Sequence, residues 1–276
     1  MARRVLVVFG TRPEAIKMAP VIAELAARDG FEPIVAVTAQ HREMLDQVLE
    51  LFGITPEHDL DIMKPGQSLV DITVNSLSGL TPLMDRVHPH AVLVQGDTTT
   101  TFAAALAAFY HKVPGGHIEA GLRTGDIYSP YPEEMNRRLT TRLTRWHFPP
   151  TATSAGHLLA EGVAGSDITI TGNTVVDALL HVRALPYQFP QGSVEAEAMF
   201  QGKRIVLVTA HRRESWGEPM TNIFTAVRHI AENNPDVHVF VAHTATRSSR
   251  RRRTGFWAAS RVWTCSDRSG TCRSSS

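Results

Sequence analysis

The sequence predicts an α/β protein built on doubly wound parallel sheets, and three observations predict it. Short, near-continuously apolar, β-branched runs alternate with amphipathic segments, glycine and polar residues bound the runs, and the pattern restarts after a loose proline-bearing stretch. A strand that is apolar on both faces needs cover on both, the condition met by a parallel sheet between two layers of helices. With 276 residues, 43% hydrophobic and 20% charged, the chain has material for one large core or two smaller ones.

Val5 to Phe9 reads as the first strand. The apolar run behind Arg3-Arg4 is five residues long, short of the roughly 7 to 15 of a secretory signal. Pro13 to Arg28 then carries apolar positions at spacings of three and four, the mark of a helix with one buried face. By the same criteria Pro33 to Thr38, Ala91 to Val94, Gly116 to Ile118 and Ile168 to Thr171 are expected strands. His41 to Phe52, Ser68 to Val87, Thr99 to His111, Glu133 to Thr144 and Ala155 to Glu161 are expected helices. A second unit follows: Asn173 to Leu185 as helix, a loose loop with Pro186, Pro190 and Gly192, then Arg204 to Thr209 (strand), Met220 to Asn233 (helix) and Val237 to Ala242 (strand). The expected organisation is a first Rossmann-like domain over 1–172, a partial second one over 173–242, and a tail over 243–276. That tail is rich in arginine and serine, lacks leucine and isoleucine, and is expected to be disordered.

Formal net charge is +1, so nothing global draws the protein to nucleic acid or to an anionic membrane. No apolar run approaches the roughly 18 residues of a membrane span. The two cysteines, Cys265 and Cys272, both lie in the tail, and a reduced cytoplasmic protein is expected. The thirteen histidines have no ligand spacing, and there is no Walker loop or nucleophile elbow, so neither metal nor cofactor is expected.

The residues that carry chemistry cluster where strands end. Gly10-Thr11-Arg12-Pro13-Glu14 joins the first strand to the first helix, with the capping-box spacing of Thr11 and Glu14. Free N–H groups at that helix start, with Arg12 beside them and Lys17 one turn on, would make a phosphate site; an ordinary helix cap is the competing reading. Asp97 and Glu119 each follow a strand, at the edge where open α/β sheets bind ligands. Two acids delivered there could share acid and base duties on one ligand, although either could equally be a helix cap. Glu133 and Glu134 open a helix with Arg137 on the next turn, spaced for an i,i+4 pair with Glu133. His211-Arg212 and Gln40-His41-Arg42 also stand just past strands, placed to meet a pyrophosphate.

Seven segments then occur in one register: GTRPEAIKMAP, TAQHREMLDQVL, GDTTTT, HIEAGLRTGD, SPYPEEMNRRLT, ITGNTVVDAL and VTAHRRES. In order and spacing they resemble the bacterial non-hydrolysing UDP-N-acetylglucosamine 2-epimerases, over about 240 residues. The resemblance implies two Rossmann-like domains with parallel sheets arranged as in GT-B glycosyltransferases, usually as a homodimer. It implies interconversion of UDP-GlcNAc and UDP-ManNAc through 2-acetamidoglucal, supplying ManNAc for cell-surface polysaccharide. Carried onto this chain, Asp97, Glu119 and Glu133 become candidate acid and base groups, and Arg12, Lys17 and His211 the groups that hold and stabilise UDP. Gly10, Arg137 and Arg212 join them as substrate contacts. Gln40, His41, Gln67, Glu134 and His243 fall near the family's allosteric nucleotide-sugar site. After His243 the family pattern, His-x-Asn-Pro and a further stretch that grips the uridine, gives way to Thr244-Ala245-Thr246-Arg247. The expectation is a chain truncated or frame-shifted after about residue 243, with an incomplete second domain and little turnover. A GT-B glycosyltransferase, a hydrolysing epimerase and a non-catalytic nucleotide-sugar-binding remnant are the competing readings.

Overall fold

The computed structural model describes residues 2–38, 42–62, 66–188, 202–209, 218–244, 260–265 and 273–274. They fall into two compact units, Met1–Leu185 and Pro186–Ser276. The first unit runs β1 (Arg3–Phe9), α1 (Arg12–Ala27), β2 (Phe31–Val37), α2 (Arg42–Leu51), β3 (His58–Asp59), α3 (Leu69–Val87), β4 (Ala91–Gln95), α4 (Thr99–Tyr110), β5 (Gly115–Ile118), α5 (Glu133–Leu143), β6 (Trp146–Phe148), α6 (Ala152–Ala160) and α7 (Val175–Ala184).

Its six strands form one sheet in the order β3-β2-β1-β4-β5-β6, every pair parallel. The order reverses between β1 and β4, and the crevice beyond the carboxyl ends of those strands is where such sheets bind ligands. β1 shows why the layers form. Val5, Val7 and Phe9 pack with Ala15, Met18 and Ile22 of α1 and with Leu45, Val48 and Leu49 of α2. Leu6 and Val8 face the other way, against Leu80, Leu83 and Met84 of α3 and Ala104, Ala107 and Ala108 of α4. Each buried Val, Leu or Phe contributes about 1.5 to 3 kcal/mol, so neither helical layer can be stripped off cheaply. Helix starts are set locally: the Asp71 N–H donates to Ser68 Oγ (3.1 Å) and the Ser68 N–H returns to Asp71 Oδ2 (2.9 Å), which fixes the beginning of α3.

Several expectations need correction. Ile168 to Thr171 is not a strand; it makes one bridge, His147 with Ile168. The sixth strand is instead β6, and β3 adds two residues at the other edge. Thr151 caps α6, its hydroxyl oxygen accepting the Ser154 N–H (3.2 Å), so that helix begins three residues before the expected Ala155. The boundary near 172 moves as well, because α7 packs on α1 and His181 stacks on Phe52 at 5.4 Å, which makes this helix part of the first unit.

The second unit comprises β7 (Arg204–Thr209), α8 (Glu218–Asn233), β8 (Val237–Thr244), β9 (Ser260–Cys265) and β10 (Arg273–Ser274), with sheet order β10-β9-β8-β7. Only β7 and β8 run parallel; β9 lies antiparallel to β8 and β10 to β9. The second sheet is therefore mixed, and the tail expected to lack structure supplies two of its strands. The run Ser260-Arg-Val-Trp-Thr-Cys265 carries strand-favouring residues, and an antiparallel partner needs no crossover helix. Among the described residues the core here is small: Val227, Val237 and Val239, with Val208, Ile223 and Ala231 against them. Strand β7 is open on both faces, Ile205 and Leu207 being 44% and 69% exposed on one and Val206 37% on the other. No helix of the described residues is long and apolar enough to cross a membrane.

Candidate active site

The carboxyl edge of the first sheet is built around one buried acid. Glu14, 2% exposed, accepts the N–H groups of Gly10 (3.0 Å) and Thr11 (2.7 Å) on Oε2. The hydroxyls of Thr98 (2.7 Å) and Thr101 (3.0 Å) face its Oε1. The capping box read from the sequence is present, and the Gly10 and Thr11 amides are spent on Glu14. Arg12, the cation of this turn, is exposed. Gly10 has a packing reason of its own. A side chain there would collide with Thr38 Oγ1 and come within 2.7 Å of Thr100 Oγ1, two hydroxyls bonded to each other at 3.0 Å. Burial pushes the Glu14 pKa upward, against the opposing hydrogen bonds from Thr98, Thr11, Gly10 and Thr101.

Asp97 sits just beyond β4, after Gly96 at φ 75°. The Gly96 N–H donates to the Ile118 carbonyl of β5 (3.0 Å), and His117 Nε2 bonds the Gly96 carbonyl (2.7 Å). Capping of α4 belongs to Thr98, whose hydroxyl accepts the Thr101 N–H (3.1 Å), which leaves the Asp97 carboxylate for other work. That carboxylate receives Nε (2.9 Å) and Nη2 (2.7 Å) of Arg137, and its main-chain carbonyl takes Asn136 Nδ2 (2.9 Å). Arg137 also donates to Glu134 (3.0 Å), so it turns to Asp97 and Glu134 and not to the Glu133 that its spacing suggests. Glu134 is fully buried and further held by Arg138 (3.2 Å) and the Thr124 N–H (3.2 Å). Burial alone would raise its pKa; Thr124, Arg138 and Arg137 outweigh that and bring the carboxyl below its ordinary range. Glu133 is half-buried, and among the described residues its Oε2 is shielded from solvent without a hydrogen-bond partner.

Glu119 follows β5 in the left-handed region, φ 63°, uncommon for a side chain of this kind and a mark of imposed geometry. Its N–H donates to Phe148 of β6 (3.0 Å). Its carboxylate, 10% exposed, takes both oxygens to Lys17 Nζ (2.7 and 2.6 Å) and one to Asn173 Nδ2 (2.7 Å). Because Gln95 pairs with Ile118 across β4 and β5, Asp97 and Glu119 emerge from neighbouring strands at the same edge of the sheet. Behind them His117 is fully buried, and burial first, with the charges of His147, Arg123 and Arg137, lowers its pKa from 6.5 to about 3 against the bond to Gly96.

The structure thus joins Lys17 with Glu119, and Arg137 with Asp97 and Glu134. Gln67 donates to the Ile62 carbonyl (2.6 Å). Gln40, His41, His211 and Arg212 lie outside the described residues; His243 is placed by its backbone in β8 alone. Two contributors escape a sequence reading. Asn173 was visible only as a helix-start residue, and Glu14 only as a cap, because nothing in spacing tells a surface cap from a buried clamp between two loops.

A family model described as UDP-N-acetylglucosamine 2-epimerase matches residues 23–265. The UDP-N-acetylglucosamine 2-epimerases of Yersinia pestis and Escherichia coli K12 are 53% and 55% identical over 240 residues, 86% of this chain. The chain spans 64% of the length of these curated relatives. The crystal structure of the Neisseria meningitidis UDP-GlcNAc 2-epimerase bound to UDP-GlcNAc superposes with a TM-score of 0.74 at 49% identity, covering 86% of this chain and 65% of that one. On the matched span, the shared register of motifs and the likeness in three dimensions, the chain belongs to the UDP-N-acetylglucosamine 2-epimerase family.

Proposed function

We propose that the carboxylates at the carboxyl edge of the first sheet invert a UDP-linked N-acetylhexosamine at C2, interconverting UDP-GlcNAc and UDP-ManNAc. The observation that carries the reading is the delivery of Asp97 and Glu119 to one edge from adjacent strands, each held by a cation, in a chain of this family. The Neisseria relative, whose structure holds UDP-GlcNAc, supports the choice of ligand.

The chemistry explains the residue types. The C2 hydrogen has no neighbouring carbonyl, so C1 must first become electron-deficient. The C1–O bond breaks and its electron pair leaves with UDP; a carboxylate takes the C2 proton, and the C–H electrons close the C1–C2 double bond of 2-acetamidoglucal. Return of the proton to the opposite face and of UDP to C1 completes the inversion, with atoms and electrons balanced inside the substrate. A carboxylate stabilises the oxocarbenium-like ring, and acid and base groups move the proton. Asp97, Glu119 and Glu133 share those duties. Among the described residues Glu133 Oε2 has no hydrogen-bond partner. Arg12 meets the departing diphosphate, with His211 and Arg212 assigned there by family resemblance. Lys17, salt-bridged to Glu119, serves the carboxylate first. Family resemblance assigns the uridine grip to the second unit, whose core among the described residues is small, and low turnover compared with the longer relatives is proposed on that ground. Family resemblance also supports a cytosolic homodimer that feeds cell-surface polysaccharide.

The test is incubation with UDP-GlcNAc in D2O followed by mass spectrometry. UDP-ManNAc appears, both nucleotide sugars gain one deuterium at C2, and Asp97→Asn suppresses the exchange by on the order of a hundredfold or more. Free ManNAc with UDP would mean a hydrolysing epimerase. Transfer of the sugar to an acceptor would mean a glycosyltransferase, and binding without exchange a non-catalytic remnant.

A further inference from the structure

We infer that Asn173 is a positioning residue for Glu119: its side-chain amide sets the plane of that carboxylate from the entry to α7, while Lys17 holds it from α1. The inference deepens the epimerase reading and rests on it for its kinetic part. Asn173 Nδ2 donates to Glu119 Oε2 at 2.7 Å, and Asn173 Oδ1 accepts the Val175 N–H at 3.0 Å. These contacts fix which way the amide faces, since a flipped amide would set oxygen against carboxylate and N–H against N–H. The neighbouring Thr174 makes no side-chain cap to α7, so Asn173 carries that task as well.

The double duty selects the residue type. Aspartate could accept from Val175 but would oppose Glu119 with a second carboxylate. Serine offers one hydroxyl on a shorter arm, and glutamine a longer arm with more rotational freedom. Lys17 and Asn173 are not redundant. The ammonium reaches both oxygens of Glu119, at 2.7 and 2.6 Å, and so sets its distance; a planar amide on one oxygen sets rotation about the last side-chain bond. With its backbone held at φ 63° and its N–H bonded to Phe148, Glu119 is constrained from β6, α1 and the entry to α7. That is the geometry of a group whose direction matters more than its reach.

The test compares Asn173→Asp and Asn173→Ala in the full chain. Aspartate keeps the acceptor for Val175 and loses the donor to Glu119; alanine loses both. The thermal midpoint should fall in both, in the first through carboxylate repulsion at Glu119 and in the second through loss of the cap to α7. In both, kcat should drop on the order of a hundredfold, with KM unchanged within about twofold. Parent-like kcat in Asn173→Asp would show a helix cap and nothing more, and would overturn the inference. If the parent neither epimerises nor exchanges, the epimerase reading fails separately, and NMR then decides the positioning. The side-chain 15N–1H pair of Asn173, assigned by its loss in Asn173→Asp, should move in Glu119→Ala; an unmoved pair overturns the inference.

Discussion

Replacing Glu14 by alanine should destabilise the first unit by about 2 to 4 kcal/mol, and the figure follows from counting protons. Four donors face this carboxyl, but the loss is unequal. The Thr101 hydroxyl also reaches the Gln95 carbonyl at 2.7 Å, and Thr98 lies 3.1 Å from Thr101, so both hydroxyls keep partners. The Gly10 and Thr11 amides do not, and a buried orphaned amide costs about 1 to 3 kcal/mol. Thr11 is half-buried and recovers some water, and the cost of burying a carboxyl disappears, which brings the sum to its lower half. Glu14→Gln is the control. Its carbonyl accepts both amides, its NH2 meets the two threonine oxygens, and Thr101 gives its proton to Gln95; it should lie within about 1 kcal/mol of the parent. Native-state hydrogen exchange of the β1 and β4 amides reads the first unit alone. An alanine variant exchanging like the parent, or a glutamine variant as weak as the alanine one, would refute the count. The sign of the pH effect follows too. A carboxyl whose folded pKa is raised contributes stability that is present below its ordinary 4.5 and lost as pH rises through the folded value, so Glu14→Gln should gain on the parent as pH rises.

Acid should act through His117 in the opposite sense. Its folded pKa of about 3 lies below the ordinary 6.5, so its contribution is whole above 6.5 and is lost as pH falls toward 3, with His147 shifted the same way. The slope is about 1.4 kcal/mol per pH unit for one such group, read by urea titration at stepped pH; a flat profile from pH 7 to 5 would discount the buried imidazole. Gly10→Ala should cost about 1 to 3 kcal/mol by overpacking against Thr38 and Thr100, part of it recovered in the double variant with Thr38→Ala. A neutral single variant in thermal unfolding would remove the packing account of that glycine.

Much of the first sheet could be read from the chain because its strands are buried on both faces and announce themselves as apolar runs. What escaped was short or decided elsewhere. β6 is Trp146–Phe148 beside charged Arg145, too brief for any periodicity, and Ile168 to Thr171 looked more strand-like than the piece that pairs. β9 was hidden by averaging: arginine and serine dominate the tail, while Arg261 to Cys265 within it suits a strand. At the site, the strand-end acids were legible from the rule for open sheets. Their partners were not, since Lys17 with Glu119 and Arg137 with Asp97 bring together residues 102 and 40 positions apart. The spacing argument for Glu133 and Arg137 failed because a buried Glu134 and a strand-end Asp97 made stronger claims on the same guanidinium.

Strand β7 has a practical consequence for the whole polypeptide. At the end of its sheet among the described residues, and wetted on both sides at Ile205, Val206 and Leu207, it offers backbone groups and apolar surface to any other copy it meets. Yield and shelf life should then track the smaller unit, through self-association, while Asp97 and Glu119 sit in the larger one. Loss of folded protein would then rise with its concentration.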